Sequence, residues 1–234
     1  MWGYYGYYYD PTYILVIIGL VLCLGASGLV KITYKKYSEV YPMRHMTGAE
    51  VAQRVLHSAG ITDVRIEEVD GDLTDHYDPK AKVLRLSQQN FHTSSVAAIG
   101  VAAHEAGHAV QHNKGYFPLK FRNAILPVAN LGSQLGVPLV LVGLIFSFGD
   151  TLINVGIFLF AFAVLFQVVT LPVEFNASRR AVKMLENEEI LYGEELSGCK
   201  KVLSAAAMTY VAAAASSALQ LLRLVLLGGR RRRD

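Results

Sequence analysis

The stretch His104-Glu105-Ala106-Gly107-His108 has the pattern H-E-x-x-H, and the residues around it predict that it lies on a helix. Side chains four positions apart on a helix share one face, so His104 and His108 can bind the same metal ion. Glu105 lies about 100° around that helix, where its carboxylate can reach a water activated by the metal without being a ligand. The motif therefore predicts zinc-dependent hydrolysis, with Glu105 as the residue that transfers protons.

The composition predicts a membrane protein. The chain has 234 residues, of which 53% are hydrophobic and 18% are charged, and its mean hydropathy is +0.32. Soluble domains have about 25% charged residues, so charge is scarce here. Four stretches contain no charged side chain, namely 11–30, 123–149, 151–173 and 202–222. Each is close to the roughly 20 residues that a helix needs to cross a bilayer, which predicts an α-helical multi-spanning membrane protein.

Charge and cysteine content exclude other classes. The net charge of +3 is small and scattered, so we expect no nucleic-acid partner. The two cysteines, Cys23 and Cys199, lie far apart and form neither a disulfide framework nor a metal-ligand spacing.

Charges beside the first apolar stretch predict its orientation. Residues 1–9 are rich in Tyr, lack Lys and Arg, and resemble an interfacial belt before a signal anchor at about 11–30. Lys31, Lys35, Lys36 and Arg44 follow that stretch. The positive-inside rule therefore places the N-terminus outside the plasma membrane and residue 31 onward in the cytoplasm.

The segment before the motif predicts a small α+β module. Thr47 and Glu50 form a capping box that opens a helix ending near Gly60. Strand-like runs follow at 64–66, 73–77 and 82–86, separated by turn signals. The run at 82–86 is either an edge strand that pairs with an extended substrate or an ordinary internal strand. A helix at about 95–112 then carries the motif, and its Ala and Gly residues favour close packing.

The remaining chain predicts a hairpin of spans at 125–148 and 152–171, with its turn at 148–151. We expect Pro172 to open a cytoplasmic helix. The last apolar segment, 202–227, either crosses the membrane and leaves the arginines at 230–233 outside, or packs on the surface and keeps them cytoplasmic. We therefore divide the chain into a belt and first span (1–30), a cytoplasmic module with the motif helix (31–120), a hairpin of two spans (121–173), a cytoplasmic helix (174–201), and an Ala/Leu-rich helix with an Arg-rich terminus (202–234).

A catalytic zinc ion keeps three protein ligands, so a third is needed. Glu174 is the first charge after the third span and returns to the side of the membrane that holds His104. Alternatively, Glu174 is only an interfacial charge at the start of a helix. Ser178 lies four residues further on the same helix face, where its hydroxyl can hydrogen bond to a ligand.

Long segments resemble a known family. They are Met46-Thr47-Gly48-Ala49-Glu50-Val51-Ala52, Leu73-Thr74-Asp75-His76-Tyr77-Asp78-Pro79, Lys82-Val83-Leu84-Arg85-Leu86-Ser87, Ala102-Ala103-His104-Glu105-Ala106-Gly107-His108-Ala109 and Val173-Glu174-Phe175-Asn176-Ala177-Ser178-Arg179-Arg180-Ala181. Nearly the whole chain is similar to the YugP-type membrane zinc metallopeptidases of the neutral zinc metallopeptidase family, and its motif pattern resembles HtpX-like and CAAX-processing membrane zinc peptidases. This resemblance implies a gluzincin-like site with His104, His108 and Glu174 as ligands of one zinc ion per chain. Ser178 stands where the HtpX pattern has Asp.

Two further residues are candidates for catalysis. His76 lies in a turn-flanked strand before the motif helix, where it can donate to an oxyanion, and its alternative is a structural or surface histidine. Arg180, or its neighbour Arg179, can stabilise the tetrahedral intermediate or tether Glu105, and the alternative is a topology charge.

Together these features predict a membrane-integral zinc-dependent endopeptidase that hydrolyses membrane-associated or unfolded proteins near the cytoplasmic membrane face. Its partners would be a peptide or protein substrate and the lipid bilayer. One alternative is a non-enzymatic zinc-dependent membrane scaffold or chaperone, which needs the metal ligands but not Glu105. A transporter is the other, and it should carry ionisable groups within its spans, which the three predicted spans lack.

Overall fold

A computed structural model describes residues 10–146 and 149–231, with side chains described as far as residue 229. Its elements in chain order are α1 (Tyr13–Ser38), α2 (Gly48–Ser58), β1 (Arg65–Val69), β2 (His76–Asp78), β3 (Val83–Ser87), α3 (Gln88–His92), α4 (Val96–Asn113), α5 (Phe117–Ile145), α6 (Gly149–Asn187) and α7 (Gly193–Arg231). The predicted aromatic belt at 1–9, residue 148 of the predicted turn, and the arginines at 232 and 233 lie outside the described residues.

Four of these helices are long and apolar enough to cross a membrane, namely α1, α5, α6 and α7. The chain is thus mostly helical with a small sheet, as its composition predicted. The set includes α7, the segment for which the sequence left two alternatives open. By length and composition, α7 qualifies as a span like the other three.

The expectation that Pro172 opens a new helix is wrong, because α6 runs through it without a break and is 39 residues long. A proline inside a helix removes one backbone hydrogen bond, and in apolar helices neighbouring hydroxyls commonly compensate. The hydroxyl of Thr170 donates to the carbonyl of Phe166 at 2.8 Å, whereas the carbonyl that Pro172 leaves without its amide donor is that of Val168. The helix nevertheless continues unbroken from an apolar segment into Glu174.

Helix α7 likewise begins earlier than the apolar composition predicted. It starts at Gly193 and includes the polar residues before Val202. Glu194 and Glu195 in its first turn favour this start, since carboxylates stabilise the N-terminal end of a helix. The predicted boundary at residue 202 differs because it was placed by hydropathy and not by the signals that mark the start of a helix.

The small sheet has the order β1-β3-β2, with β1 parallel and β2 antiparallel to β3. Strand β3 is therefore internal, so of the two alternatives for residues 82–86 the internal strand is right and the edge strand is wrong. Strand β2 is also shorter than the predicted run at 73–77. Gly71 and Leu73 have φ values of 102° and 55°, which turn the backbone and delay the strand until His76.

The chain divides into two compact units. One contains the described parts of residues 25–126 and 166–211, and its core includes Leu84, Leu86, Ile99 and Leu185. The capping box that opens α2 is present, with the Glu50 carboxylate accepting from the Thr47 amide at 2.8 Å. The hydroxyl of Ser95 caps α4 by accepting from Ala98 N at 3.2 Å. Both helix starts are those that the sequence predicted.

The other unit contains the described parts of residues 1–24, 127–165 and 212–234. In it, α1 and α7 pack antiparallel. A Cβ added to Gly19 would lie 2.5 Å from the Ser216 hydroxyl, while Arg223 lies 3.4 Å from Asp10 and over the Tyr13 ring. The start of α1 and the end of α7 are thus side by side, as expected when both helices cross the same bilayer in opposite directions.

Candidate metal centre

The motif helix α4 lies against α6 at a point where only glycine fits. A Cβ added to Gly107 would lie 2.8 Å from the Ala177 carbonyl oxygen, which is closer than side-chain carbon atoms approach in proteins. Gly107 therefore lets the two helices approach until the histidines of α4 face the carboxylate of α6. The small residues that the sequence showed around the motif serve this close approach.

The three expected ligands converge. Nε2 of His104 lies 3.3 Å and Nε2 of His108 lies 3.4 Å from Oε2 of Glu174. These residues form a group that can hold one metal ion, with ligand atoms all within 4.8 Å of one another. Zinc–ligand bonds are about 2.0–2.2 Å long, so ligands at tetrahedral corners are separated by about 3.4 Å. The spacing of the histidine and glutamate atoms fits that value.

The outer nitrogen of each imidazole has a partner, which directs the inner nitrogen to the centre. Nδ1 of His104 lies 3.1 Å from the Ser178 hydroxyl, and Nδ1 of His108 lies 3.0 Å from Oε1 of Gln111. Because the Gln111 carbonyl can only accept, His108 carries its proton on Nδ1 and presents a lone pair on Nε2. The Ser178 contact agrees with the helix-face spacing read from the sequence.

Glu174 is buried, with 3% of its surface exposed, and its two oxygens differ. Oε1 lies 3.6 Å from Nη1 of Arg122. Among the described residues, Oε2 has no hydrogen-bond donor. A buried carboxylate oxygen without a donor costs free energy, and a metal cation would remove that cost. The donor set of two imidazoles and one carboxylate, with this oxygen between the histidines, fits a zinc ion.

A buried amide ties the two ligand helices together. Nε2 of Gln111 donates to the carbonyl of Val173 at 2.8 Å and to Oδ1 of Asn176 at 3.0 Å. Gln111 is fully buried, so these bonds form away from water. One side chain of α4 thereby holds His108 and the backbone turn of α6 that precedes Glu174.

The charges of the site raise the pKa of His108. Burial favours the neutral imidazole, but the carboxylate of Glu174 and the charge of Glu105 outweigh it and hold the pKa above the ordinary value of 6.5. The negative charge around His108 thus favours a positively charged group at this position. A metal ion at this position would compete with a proton on His108.

Two cavities meet the site on different sides of Glu105. The first has a volume of about 200 Å³ and is mostly apolar, with Val101, Val202 and Ala206 beside His104 and Glu105. The second has a volume of about 220 Å³ and is more polar. It is lined by His76, Tyr77, Glu105, His108, Arg122, Glu174 and Tyr210, among others. We name these the apolar chamber and the polar chamber. Glu105 and Glu174 line both, so a bound chain in either chamber is close to the ligand group.

The structure brings one of the two further catalytic candidates to this site. His76 lines the polar chamber with Glu105, and its Nδ1 lies 2.8 Å from the Thr74 carbonyl. Arg180 is placed differently. Its Nε donates to Oδ1 of Asn176 at 2.7 Å, and its guanidinium lies over the Tyr116 ring. Asn176 also accepts from Gln111, so Arg180 is connected to His108 through two side chains.

Three residues of the site were not singled out by the sequence analysis. Gln111 follows His108 by three residues, about one helical turn. The spacing that places His104 and His108 on one helix face could therefore also have identified Gln111. Arg122 and Tyr210 gave no such signal. They lie on α5 and α7, far from the motif in sequence, and only the folded chain brings them beside Glu174.

Comparisons with known proteins identify the family of the chain. A family model described as “Putative neutral zinc metallopeptidase” matches residues 12–228. Over 198 residues, which are 85% of this chain and 88% of the relative, the sequence is 47% identical to a Bacillus subtilis (strain 168) protein named “Putative membrane protease YugP”. No solved structure matches the chain. The family match confirms the resemblance that the motifs indicated.

Proposed function

We propose that this chain, which belongs to the family described as “Putative neutral zinc metallopeptidase”, is a membrane-integral endopeptidase acting at the cytoplasmic membrane face. The observation that carries the proposal is the convergence of His104, His108 and Glu174, with Glu105 lining both adjoining chambers. Metal-dependent hydrolysis needs a metal ion and a proton-transferring carboxylate within reach of one substrate bond, and these residues provide the metal ligands and the carboxylate.

In the proposed site, His104, His108 and Glu174 hold one zinc ion per chain. The bound ion supplies Lewis acidity, which polarises the scissile carbonyl and lowers the pKa of water to about 7. Ser178 and Gln111 keep each imidazole oriented through its Nδ1 atom. Arg122 holds the other oxygen of Glu174, so the carboxylate presents Oε2 to the histidines.

Glu105 is the proposed general base and acid. Its carboxylate removes the proton from the attacking water as the new C–O bond forms. The same proton then passes from Glu105 to the amide nitrogen as the C–N bond breaks. Its place on the wall of both chambers, one position after His104, supports this role.

Negative charge develops on the substrate carbonyl oxygen, and donors must stabilise it. His76 and Tyr210 are the proposed donors, because both line the polar chamber together with Glu105 and His108. For His76 the ring must first turn, because in this structure its Nδ1 faces the Thr74 carbonyl at 2.8 Å and its Nε2 faces the Arg85 guanidinium at 3.4 Å. We propose that Arg180 acts as a positioning residue, because its contacts reach the site through Asn176 and Gln111.

The proposed orientation follows from charge and helix packing. Lys31, Lys35 and Lys36 at the end of α1, and Arg179, Arg180 and Lys183 on α6, lie in the unit that contains the ligand group. The positive-inside rule favours the cytoplasm for this unit. The antiparallel packing of α1 and α7 supports a membrane crossing by both helices.

The proposed substrates are membrane-associated proteins or their cytoplasmic segments, because Glu174 lies on a helix that also qualifies as a span. The test compares two substrates with one purified preparation in liposomes: a single-span protein with a cytoplasmic tail, and the same tail as a soluble peptide. We expect faster cleavage of the anchored tail, and no cleavage by Glu105→Gln. Equal rates for both would contradict the substrate assignment. Full biological function of Glu105→Gln would favour the scaffold alternative.

A further inference from the structure

A groove runs along one face each of α6 and α7. Its volume is about 650 Å³. On α6, the lining residues fall at Phe175, Arg179, Val182, Lys183 and Glu186, and on α7 at Lys200, Leu203, Ser204, Ala207 and Met208. Spacings of three and four residues place each set on a single helix face. We call this the α6–α7 groove.

The floor of the groove is apolar and accessible. Phe175 is 39% and Met208 is 46% exposed, and Val182 and Leu203 lie between them. Exposed side chains of this size are ordinary where a helix faces lipid. The apolar floor alone therefore identifies neither lipid nor protein as the occupant.

Charge on the same surface distinguishes the groove from a lipid-facing helix. Arg179, Lys183 and Lys200 all line it, and all three are exposed. Within residues 10–146 and 149–231, no carboxylate lies at ion-pair distance from any of them. Glu186 also lines the groove, so its cationic groups exceed its carboxylates. Acyl chains carry no charge and do not pair with these cations. An acidic group beside an apolar segment can form ion pairs with them.

The groove also meets the proposed catalytic site. Ser178, Leu203 and Ala207 line both the α6–α7 groove and the apolar chamber. The hydroxyl of Ser178 lies 3.1 Å from Nδ1 of His104. A chain that lies in the groove is therefore separated from the ligand group by a single layer of side chains.

We propose that the α6–α7 groove binds the substrate itself, as an apolar segment of a membrane protein with acidic residues at its flank. The apolar part lies over Phe175, Val182 and Met208, and the acidic flank pairs with Lys183 and Lys200. The chain continues past Ser178 into the apolar chamber, where Glu105 lies. The proposal rests on the peptidase function proposed above and adds to it a class of substrate and a place where it binds.

The test uses three kinds of fluorogenic peptide with one cleavable sequence. The long probes carry an apolar stretch flanked by Glu-Glu or by Lys-Lys, in a small panel of distances from the cleavable bond. The short probe has neither stretch nor flank. The full-length protein in detergent should show a kcat/KM about tenfold higher for the Glu-Glu probe than for the Lys-Lys probe.

Charge reversal in the groove tests whether the groove causes the preference for the Glu-Glu probe. Lys183→Glu combined with Lys200→Glu should invert the preference, because the flank then meets like charge. Lys201→Glu is the matched control, since Lys201 neighbours Lys200 but does not line the groove. It should keep the wild-type preference. Ser204→Trp fills the groove and should raise KM for both long probes. The short probe does not reach the groove, so Lys201→Glu should cleave it at the wild-type rate and the other variants should still cleave it.

The outcomes separate this proposal from the one it rests on. If the wild type cleaves no probe, the peptidase function fails. If it cleaves the short probe but the charge-reversed variant keeps the wild-type preference, the groove proposal is wrong and the peptidase function stands. If charge reversal changes only the anionic phospholipid that copurifies with the protein, the groove binds lipid and the substrate proposal is overturned.

Discussion

The side-chain amide of Gln111 donates a hydrogen bond to the main-chain carbonyl of Val173 at 2.8 Å. The two residues are 62 positions apart, on α4 and α6. Val173 directly precedes Glu174, and the other end of the same amide contacts His108. A single buried side chain thus sets the distance between ligands that come from different helices. We therefore expect zinc affinity to depend on this contact.

Replacing Gln111 with Leu should weaken zinc binding while all three ligands remain. The substitution removes the acceptor of His108 and the link to Val173, and loss of such partners commonly costs about 10–100-fold in metal affinity. Competition with a chromophoric chelator measures the affinity. Gln89→Leu, at an exposed position outside the site, is the control and should bind zinc like the wild type. Equal affinity in both variants would show that the amide does not hold the ligands.

Replacing Gly107 with Ala should separate α4 from α6. Its Cβ would lie 2.8 Å from the Ala177 carbonyl oxygen, so a backbone must move. We expect a loss of about 1–3 kcal/mol in the free energy of unfolding, together with weaker zinc binding. Thermal unfolding in detergent and zinc content measure the two effects.

Gly25→Ala is the matched control for Gly107→Ala. Gly25 also lies within a helix, and a Cβ there would meet nothing within 4 Å. It should leave unfolding and zinc content unchanged or slightly improve the stability. If both variants behaved alike, the close approach at Gly107 would not matter to the site.

His76→Ala and Tyr210→Phe should each lower kcat while zinc stays bound. Both remove a proposed donor to the substrate oxyanion, and loss of one such donor costs about 10²–10³-fold in other enzymes. Steady-state kinetics with the short fluorogenic peptide measure kcat. His57→Ala and Tyr192→Phe change the same residue types at exposed positions and are the controls. An unchanged kcat in either test variant removes that residue from the proposed oxyanion site.

Zinc affinity should fall as the pH falls, and the fall should begin above pH 6.5. A histidine must be neutral to bind zinc, so protons compete with the metal. The carboxylates around His108 raise its pKa above 6.5, which means that this histidine takes up a proton at a higher pH than an ordinary one. Zinc dissociation constants between pH 5.5 and 8, from chelator competition, test this. An affinity that stays constant down to pH 6 would contradict it.

Local signals predicted much of the fold. Thr47 with Glu50 gave a helix start that the structure has, because a capping residue acts on backbone groups a few positions away. The prediction that a helix starts at Pro172 was wrong, because it used the preference of proline for the first turn of helices in soluble proteins. In α6 the helix continues through Pro172 within a candidate membrane span, which a local pattern does not reveal.

The residues of the site likewise fall into two groups: those that a helical spacing predicts, and those that only the folded chain brings together. The spacing of His104 and His108 follows from one helix, and Ser178 follows from its spacing to Glu174. Tyr210 and Arg122 reach the site only through the packing of α5 and α7, which no sequence period encodes. The extra contacts around Glu174 therefore needed the folded chain.

The most direct test of the central claim is zinc content and casein cleavage in the same preparations of wild type, Glu105→Gln and Glu174→Ala. We predict about one zinc per chain with cleavage in the wild type. Glu105→Gln should keep its zinc and lose cleavage, and Glu174→Ala should lose both. Wild type that binds no zinc, or Glu105→Gln that cleaves casein as fast as wild type, would contradict the account.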